Sequence, residues 1–220
     1  MRFRSFIVAY ALVMAVVLLF AERPPRPRPQ NRYSQVVDLT DAPLASTEPR
    51  SRSGTRIISP SALIPGTWDT AHIPAERLIA SLVVMDVNSS SGQISVDDIA
   101  SWEAQHGNVP QGAIVAVRRV GSAARHSCDR FPLSNDAAQF LMDARYTTAF
   151  VLDAPVSLAS DRTLSRQIAL HGNYVVERSV RLAALPPTGS LIIVAPEKNS
   201  NTPDSPVRVL AMVSKASPGS

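Results

Sequence analysis

The sequence is poor in cysteine and in aromatic residues, and both shortages exclude classes of structure. A single cysteine, Cys128, occurs among the 220 residues, so the chain forms no internal disulfide bond. Aromatic residues make up 5% of the chain, and no basic stretch is interleaved with them. Proteins that bind nucleic acid usually combine a basic surface with rings on which bases stack. We therefore expect no nucleic acid partner.

Charge is also scarce and is unevenly distributed. Charged residues account for 18% of the chain and hydrophobic residues for 45%, with a formal net charge of +4. Positive charges are concentrated at the start of the chain, at Arg2, Arg4, Arg23, Arg26, Arg28 and Arg32. The isoelectric point of about 9.7 therefore describes this segment more than the remainder, which has the balance of an ordinary globular domain.

An apolar run extends from Phe6 to Ala21, which is shorter than the roughly 20 residues that span a bilayer. Leu19-Phe20-Ala21 is a poor signal-peptidase site, because the position two before the final alanine prefers a small residue. We predict that residues 1–21 are a signal anchor, with a cleaved signal peptide or a buried helix as alternatives. The protein would then be a single-pass membrane protein with an extracytoplasmic domain, or secreted or periplasmic if the segment is cleaved.

Prolines and arginines alternate in the next segment, which predicts an extended spacer over residues 22–33. The pattern becomes that of a globular domain from residue 34, and we predict one folded domain over residues 34–215. The membrane, reached through the N-terminal segment, is the one partner that this organisation indicates.

Within this domain, short apolar runs alternate with amphipathic stretches, which predicts an α/β fold. Strands are predicted at Gln35–Leu39, Leu82–Val87, Ala113–Val117, Ala149–Asp153, Tyr174–Glu177, Leu191–Val194 and Val207–Val213. Helices are predicted after the capping residues Ser95 and Ser134 and near Leu164–Leu170, and a short helix is predicted to start in Ile73–Leu78. Residues Lys198–Ser205 form a polar stretch that predicts a loop.

The stretch Arg52–Ala62 reads Arg-Ser-Gly-Thr-Arg-Ile-Ile-Ser-Pro-Ser-Ala. It resembles the cyclase family of metal-dependent hydrolases, best known from bacterial kynurenine formamidases, which carry His-x-Gly-Thr-His-x-Asp-x-Pro-x-His. Gly54, Thr55 and Pro60 match. Supporting matches lie at Val36–Leu39, Ile73–Leu78, Phe150–Ser157 and Ser205–Ala211. The resemblance implies a β/β/α swivelling domain with a mixed sheet curled around the site, and a possible homo-oligomer.

Most positions that carry the chemistry in this family hold other residues here. These former-site positions are Arg52, Arg56, Ile58, Ala62, Ser165 and Glu177. By the resemblance, Ala62 stands at the position of the general acid/base histidine, and the other five stand at the positions of metal ligands. Only Glu177 remains a good ligand, because a guanidinium group stays charged and cannot coordinate a cation. We therefore predict no metal cofactor, where family members use zinc or manganese, and no confident catalytic residue.

The sequence gives little support for metal ligands or catalytic nucleophiles outside the positions of the family motif. The histidines His72, His106, His126 and His171 are scattered, and the close pairs are Asp69 with His72 and His126 with Cys128. A catalytic metal needs more side chains than one such pair supplies. Ser59, Ser61 and Ser165 have no recognisable base beside them, and the chain contains no Gly-x-Ser-x-Gly elbow.

Glu177 would be costly to bury alone, so we predict that Arg56, together with Arg52, pairs with it and closes the former site. The preferred function is a non-catalytic binding or assembly module with an unknown ligand. The alternative is a metal-dependent amide or ester hydrolase of the arylformamidase type, with ligands outside the recognised positions. A gene product without a selected role is a third possibility.

Overall fold

The computed structural model of the chain describes residues 33–42, 54–87, 92–120, 130–156, 158, 161–198 and 202–214. The predicted segment 1–21, most of the predicted spacer, and Arg52, His126 and Cys128 lie outside the described residues. Within the described ranges, no helix has the length and apolar character needed to cross a membrane.

Strands and helices alternate along the described chain, as predicted. The strands are β1 (Tyr33–Asp38), β2 (Arg56–Ile58), β3 (Ile79–Val87), β4 (Ile114–Arg119), β5 (Ala149–Leu152), β6 (Tyr174–Glu177), β7 (Ser190–Pro196) and β8 (Asp204–Ser214). The helices are α1 (Val96–His106), α2 (Asn135–Ala144) and α3 (Arg162–Leu170). Short 3-10 turns occupy Pro60–Ala62, Ala75–Arg77 and Leu182–Ala184.

These strands form one mixed sheet, in the order β1-β8-β2-β6-β5-β4-β3-β7. β3, β4, β5 and β6 run parallel to one another, whereas β2 pairs antiparallel with both β6 and β8. β7 pairs antiparallel with β3 and also with β8. This last pairing closes seven strands into a barrel and leaves β1 as an additional strand on β8. The predicted mixed α/β sheet is therefore confirmed.

Two apolar cores lie on opposite faces of the closed sheet. Along β5, Ala149 and Val151 belong to the core inside the barrel, whereas Phe150 and Leu152 belong to the core beneath the helices. Side chains alternate between the two faces of a strand, so a strand covered on both sides must be apolar at every position. This explains the uninterrupted apolar runs from which the central strands were predicted.

Local capping explains where the helices begin. The Ser95 hydroxyl accepts from the Asp98 N–H at 3.2 Å, and the Asp98 carboxylate accepts from the Ser95 N–H at 2.8 Å, which confirms the predicted capping box. Ser134 caps α2 as predicted. Helix α3 begins earlier than predicted, because the Asp161 side chain accepts from the Leu164 N–H at 3.0 Å and caps it. The N–H of Leu164 is the main cause that lowers the pKa of Asp161.

Two predicted boundaries are wrong. The helix expected in Ile73–Leu78 is a single 3-10 turn, because the chain enters β3 at Ile79. The loop expected over Lys198–Ser205 ends early, because β8 begins at Asp204 and pairs with β2 there.

Gly172 provides close packing between the end of α3 and the loop before β3. It has a φ of +66°, and a β-carbon there would lie 2.8 Å from Cζ3 of Trp68. The Arg77 guanidinium lies over the Trp68 ring at 5.5 Å and donates to Asn173 Oδ1 at 2.9 Å. The tryptophan therefore occupies space that only glycine leaves open.

We expect Gly172→Ala to lower the free energy of unfolding more than Gly112→Ala, as measured by denaturant titration. Gly112 has a φ of +74° and no atom within 4 Å of its would-be β-carbon. An alanine there therefore suffers only the backbone strain of a positive φ, which costs about 1–2 kcal/mol. Displacement of Trp68 should add about 1 kcal/mol at Gly172. Equal losses in both variants would contradict this packing role.

Candidate functional site

Thr55, one of the residues that match the family motif, holds strand ends together. Thr55 is 2% exposed, and its hydroxyl donates to the Arg178 carbonyl at 2.8 Å. The same hydroxyl accepts from the Asp41 N–H at 2.7 Å. Because Asp41 follows β1 and Arg178 follows β6, this threonine joins the ends of three strands at the start of β2.

The register of β2 places former-site positions beside one another. Arg56 lies opposite Glu177 on β6, and Ile58 lies opposite Val175. Ile58 and Val175 pack in the core beneath the helices, so the alternation of strand side chains places Arg56 and Glu177 on this same face. The sheet was expected to curl around the site. It instead closes around an apolar core, and these positions lie on its outer, helix-facing side.

Arg56 makes its ion pair with a residue that the sequence did not indicate. Its Nη2 donates to Asp204 Oδ1 at 2.7 Å, and the two side chains are 15% and 29% exposed. The ion pair predicted for Arg56 with Glu177 is thus replaced by one with the neighbouring strand. Asp204 was missed because it was assigned to a polar loop, whereas it is the first residue of β8 and lies opposite Ile58. Arg52, which was predicted to take part in the same pair, lies outside the described residues.

Glu177 and Ser165 both fasten the loop that follows β5. Glu177 is 8% exposed, and its Oε1 accepts from the Val156 N–H at 2.9 Å. Ser165 lies in α3, equally buried, and its hydroxyl donates to the Leu158 carbonyl. The two former-site positions that the resemblance assigned to a histidine and a glutamate ligand therefore hold one segment of chain in place.

The remaining former-site position and the nearby serines have no catalytic arrangement among the described residues. Ala62 ends the turn Pro60–Ala62 and is exposed. Ser59 is fully buried; its hydroxyl donates to the Pro203 carbonyl at 2.8 Å and lies 3.0 Å from the Ser61 hydroxyl. Because its proton is directed at a carbonyl, Ser59 is bonded as a structural residue and not as a nucleophile.

The described histidines lie apart and have separate partners. His72 Nδ1 lies 2.6 Å from Asp69 within a turn. His171 Nε2 lies 2.8 Å from Asp143, and the His106 ring packs against Trp102 at 4.8 Å. The close pair of Asp69 and His72, noted in the sequence, is therefore a local contact on the surface.

The donor atoms at these positions do not fit the metal that the resemblance implies. Glu177 supplies a carboxylate, but Arg56 supplies a cationic group that would repel a divalent ion, and Ile58 and Ala62 supply no donor. Asp204 lies nearby, and its Oδ1 accepts from Arg56. Across the described ranges, no three side chains of His, Cys, Asp or Glu are grouped so that they could hold a metal ion.

A comparison with protein-family models decides the family. The model named Cyclase matches residues 24–157, which is more than half of the chain. This chain belongs to the cyclase family. The family resemblance of the Arg52–Ala62 motif is thereby confirmed, although most of the motif's functional side chains differ.

Relatives of this cyclase-family protein include hydrolases. An isatin hydrolase of Roseibium aggregatum is 28% identical over 193 residues, which cover 74% of this chain and 72% of the relative. The structure of isatin hydrolase A from Labrenzia aggregata, bound to benzyl benzoate, superposes with a TM-score of 0.66 at 24% identity and covers 82% of this chain and 94% of that one. A structure described as a potential metal-dependent hydrolase with cyclase activity has a TM-score of 0.63 at 21% identity, with coverages of 83% and 99%. The structural likenesses establish the cyclase-family fold.

We expect the Arg56–Asp204 pair to stabilise the former site measurably. A double-mutant cycle with Arg56→Met and Asp204→Asn should give a coupling free energy of about 1–2 kcal/mol, between the values of exposed and buried pairs. The matched control is Arg208–Asp38, which joins β8 to β1 at 2.9 Å with side chains 63% and 35% exposed. Its coupling should stay below about 0.5 kcal/mol. Indistinguishable couplings would show that the first pair does not secure the site.

Proposed function

We propose that this cyclase-family protein is a binding or assembly module that does not use metal-assisted hydrolysis at the recognised positions. The observation that carries the proposal is the ion pair of Arg56 with Asp204. It places a guanidinium group at the position where the family motif has its second histidine. A residue that is permanently charged and already paired cannot act as a metal ligand.

Other contacts support the same proposal. The Ser165 hydroxyl and the Glu177 carboxylate are both engaged with the loop after β5, so a metal at these positions would have to displace existing hydrogen bonds. Ala62 has no group that could move a proton, whereas general acid/base catalysis requires one within hydrogen-bond reach of the reacting atoms.

The second candidate is a metal-dependent hydrolase of amides or esters. The observation that favours it is the likeness to an isatin hydrolase over 74% of this chain. The comparisons favour this candidate over the first, whereas the donor atoms favour the first. This second candidate requires, besides Glu177, ligands from outside the described residues, where His126 and Cys128 lie.

One experiment separates the two candidates. Zinc and manganese are measured by elemental analysis of the purified full-length protein, and hydrolysis of isatin and of N-formylkynurenine is assayed on the same sample. We expect neither stoichiometric metal nor hydrolysis above the buffer rate, because the recognised positions supply one good ligand.

The opposite result would support the second candidate, the metal-dependent hydrolase. About one metal ion per chain, lost in Glu177→Gln together with isatin hydrolysis, would establish the hydrolase and overturn the first candidate. Glu76→Gln is the matched control, because Glu76 is an exposed carboxylate on the turn Ala75–Arg77 and its loss should leave metal content unchanged.

We also propose that residues 1–21 anchor the protein in a membrane, with the folded domain outside the cytoplasm. The support is the apolar run Phe6–Ala21 and the Pro/Arg-rich spacer after it. The full-length protein should sediment with membranes and resist alkaline extraction, and Val13→Arg should weaken this association because a charge in the apolar run is costly. Full-length protein recovered from the soluble cytoplasmic fraction with its N-terminus intact would contradict the proposal.

A further inference from the structure

Arg119, the last residue of β4, has a buried guanidinium group that is only partly hydrogen-bonded. Its side chain is 3% exposed, and Nη1 pairs with Asp153 Oδ1 at 2.6 Å. The other carboxylate oxygen of Asp153 accepts from the Arg119 backbone N–H at 2.7 Å. Nε and Nη2 of Arg119 are buried and have no hydrogen-bond partner in the described part of the chain.

Two other arginines show what this free edge is suited to bind. Arg118 donates from Nε and Nη2 to the two oxygens of Asp86 at 2.6 and 2.7 Å. Arg145 donates from the same two nitrogens to Glu103 at 2.7 and 2.8 Å, and this contact is the main cause that lowers the pKa of Glu103. The edge formed by Nε and Nη2 is thus the bidentate carboxylate-binding edge of arginine in this protein. In Arg119 this edge is not used.

Asp153 does not use this edge in the described structure. One of its oxygens accepts from Nη1 and the other from the backbone, so its carboxylate is engaged at the opposite side of the guanidinium group. Nε and Nη2 have lost their hydrogen bonds to water and have gained none in return, which lowers the stability of the folded protein. A carboxylate placed against Nε and Nη2 would recover both.

The position of Arg119 in the fold is one where ligands bind in many α/β proteins. β3, β4, β5 and β6 are parallel, so Arg119 and Glu177, the last residues of β4 and β6, lie at the same carboxyl edge of the sheet. In closed parallel α/β barrels, active sites likewise lie at the carboxyl ends of the strands. Asp153, which pairs with Arg119 at this end of the strands, has a side chain that is 23% exposed.

We propose that Arg119 binds the carboxylate group of a small-molecule ligand, through a side-on bidentate contact with Nε and Nη2. This goes beyond the proposed function, because carboxylate binding is expected whether or not the protein hydrolyses a substrate. A purely structural role, neutralisation of Asp153, would leave the free edge empty under all conditions.

The test begins with the unaltered full-length protein. Binding of acetate and benzoate is measured by titration calorimetry and by the shift of the thermal unfolding midpoint, with benzamide and inorganic phosphate as comparison probes. We expect saturable binding of benzoate, weaker binding of phosphate, and none of benzamide, which has the shape of benzoate without its charge. Absence of saturable carboxylate binding to the folded protein, or tighter binding of phosphate, would overturn the proposal.

Two lysine variants then locate the site. Arg119→Lys keeps the charge but removes the bidentate edge, and it should weaken benzoate binding roughly tenfold or more. Arg118→Lys is the matched control, because the same edge of Arg118 is already occupied by Asp86, and it should bind benzoate as the unaltered protein does. Equal binding by both variants, or equal weakening in both, would refute the assignment. If Arg119→Lys does not fold, the titration of the unaltered protein decides.

Discussion

The pairing of β7 with β8 is the interaction on which the rest of the structure depends. It joins the two ends of a seven-strand sheet and thereby separates an enclosed face from a helix-covered face. β8 is also paired with β1 and β2, so one long strand fixes the register of three others. The three-residue strand β2 is held between β6 and β8 by this arrangement, and with it the side chains of the former site.

Charge at the carboxyl edge is arranged as local ion pairs and hydrogen bonds. Arg56 pairs with Asp204, Arg119 pairs with Asp153, and Glu177 accepts from a backbone N–H. Each of these groups would be costly to bury without a partner. The described charged groups at this edge are therefore paired with one another or with the backbone, whereas Nε and Nη2 of Arg119 have no partner among the described residues.

Much of this fold could be predicted from the sequence, because its main signals are local. Apolar runs such as Ala149–Asp153 mark strands that are covered on both faces, and the side chains of Ser95 and Ser134 mark helix starts through caps that act over three residues. The matching Gly54, Thr55 and Pro60 identified the family. The closure of β7 on β8, the pairing of Asp204 with Arg56 and the free edge of Arg119 depend on contacts between distant segments, which periodicity does not report.

The contacts of Ser165 and Arg56 limit how these two positions can be substituted. A histidine at position 165 would lose the hydroxyl that donates to Leu158, and a histidine at position 56 would remove the guanidinium from Asp204. Each single substitution toward a metal ligand thus destabilises the fold before a complete ligand set exists to compensate. A metal site engineered at these positions would therefore need several substitutions made together, with new contacts that replace the ones that are lost.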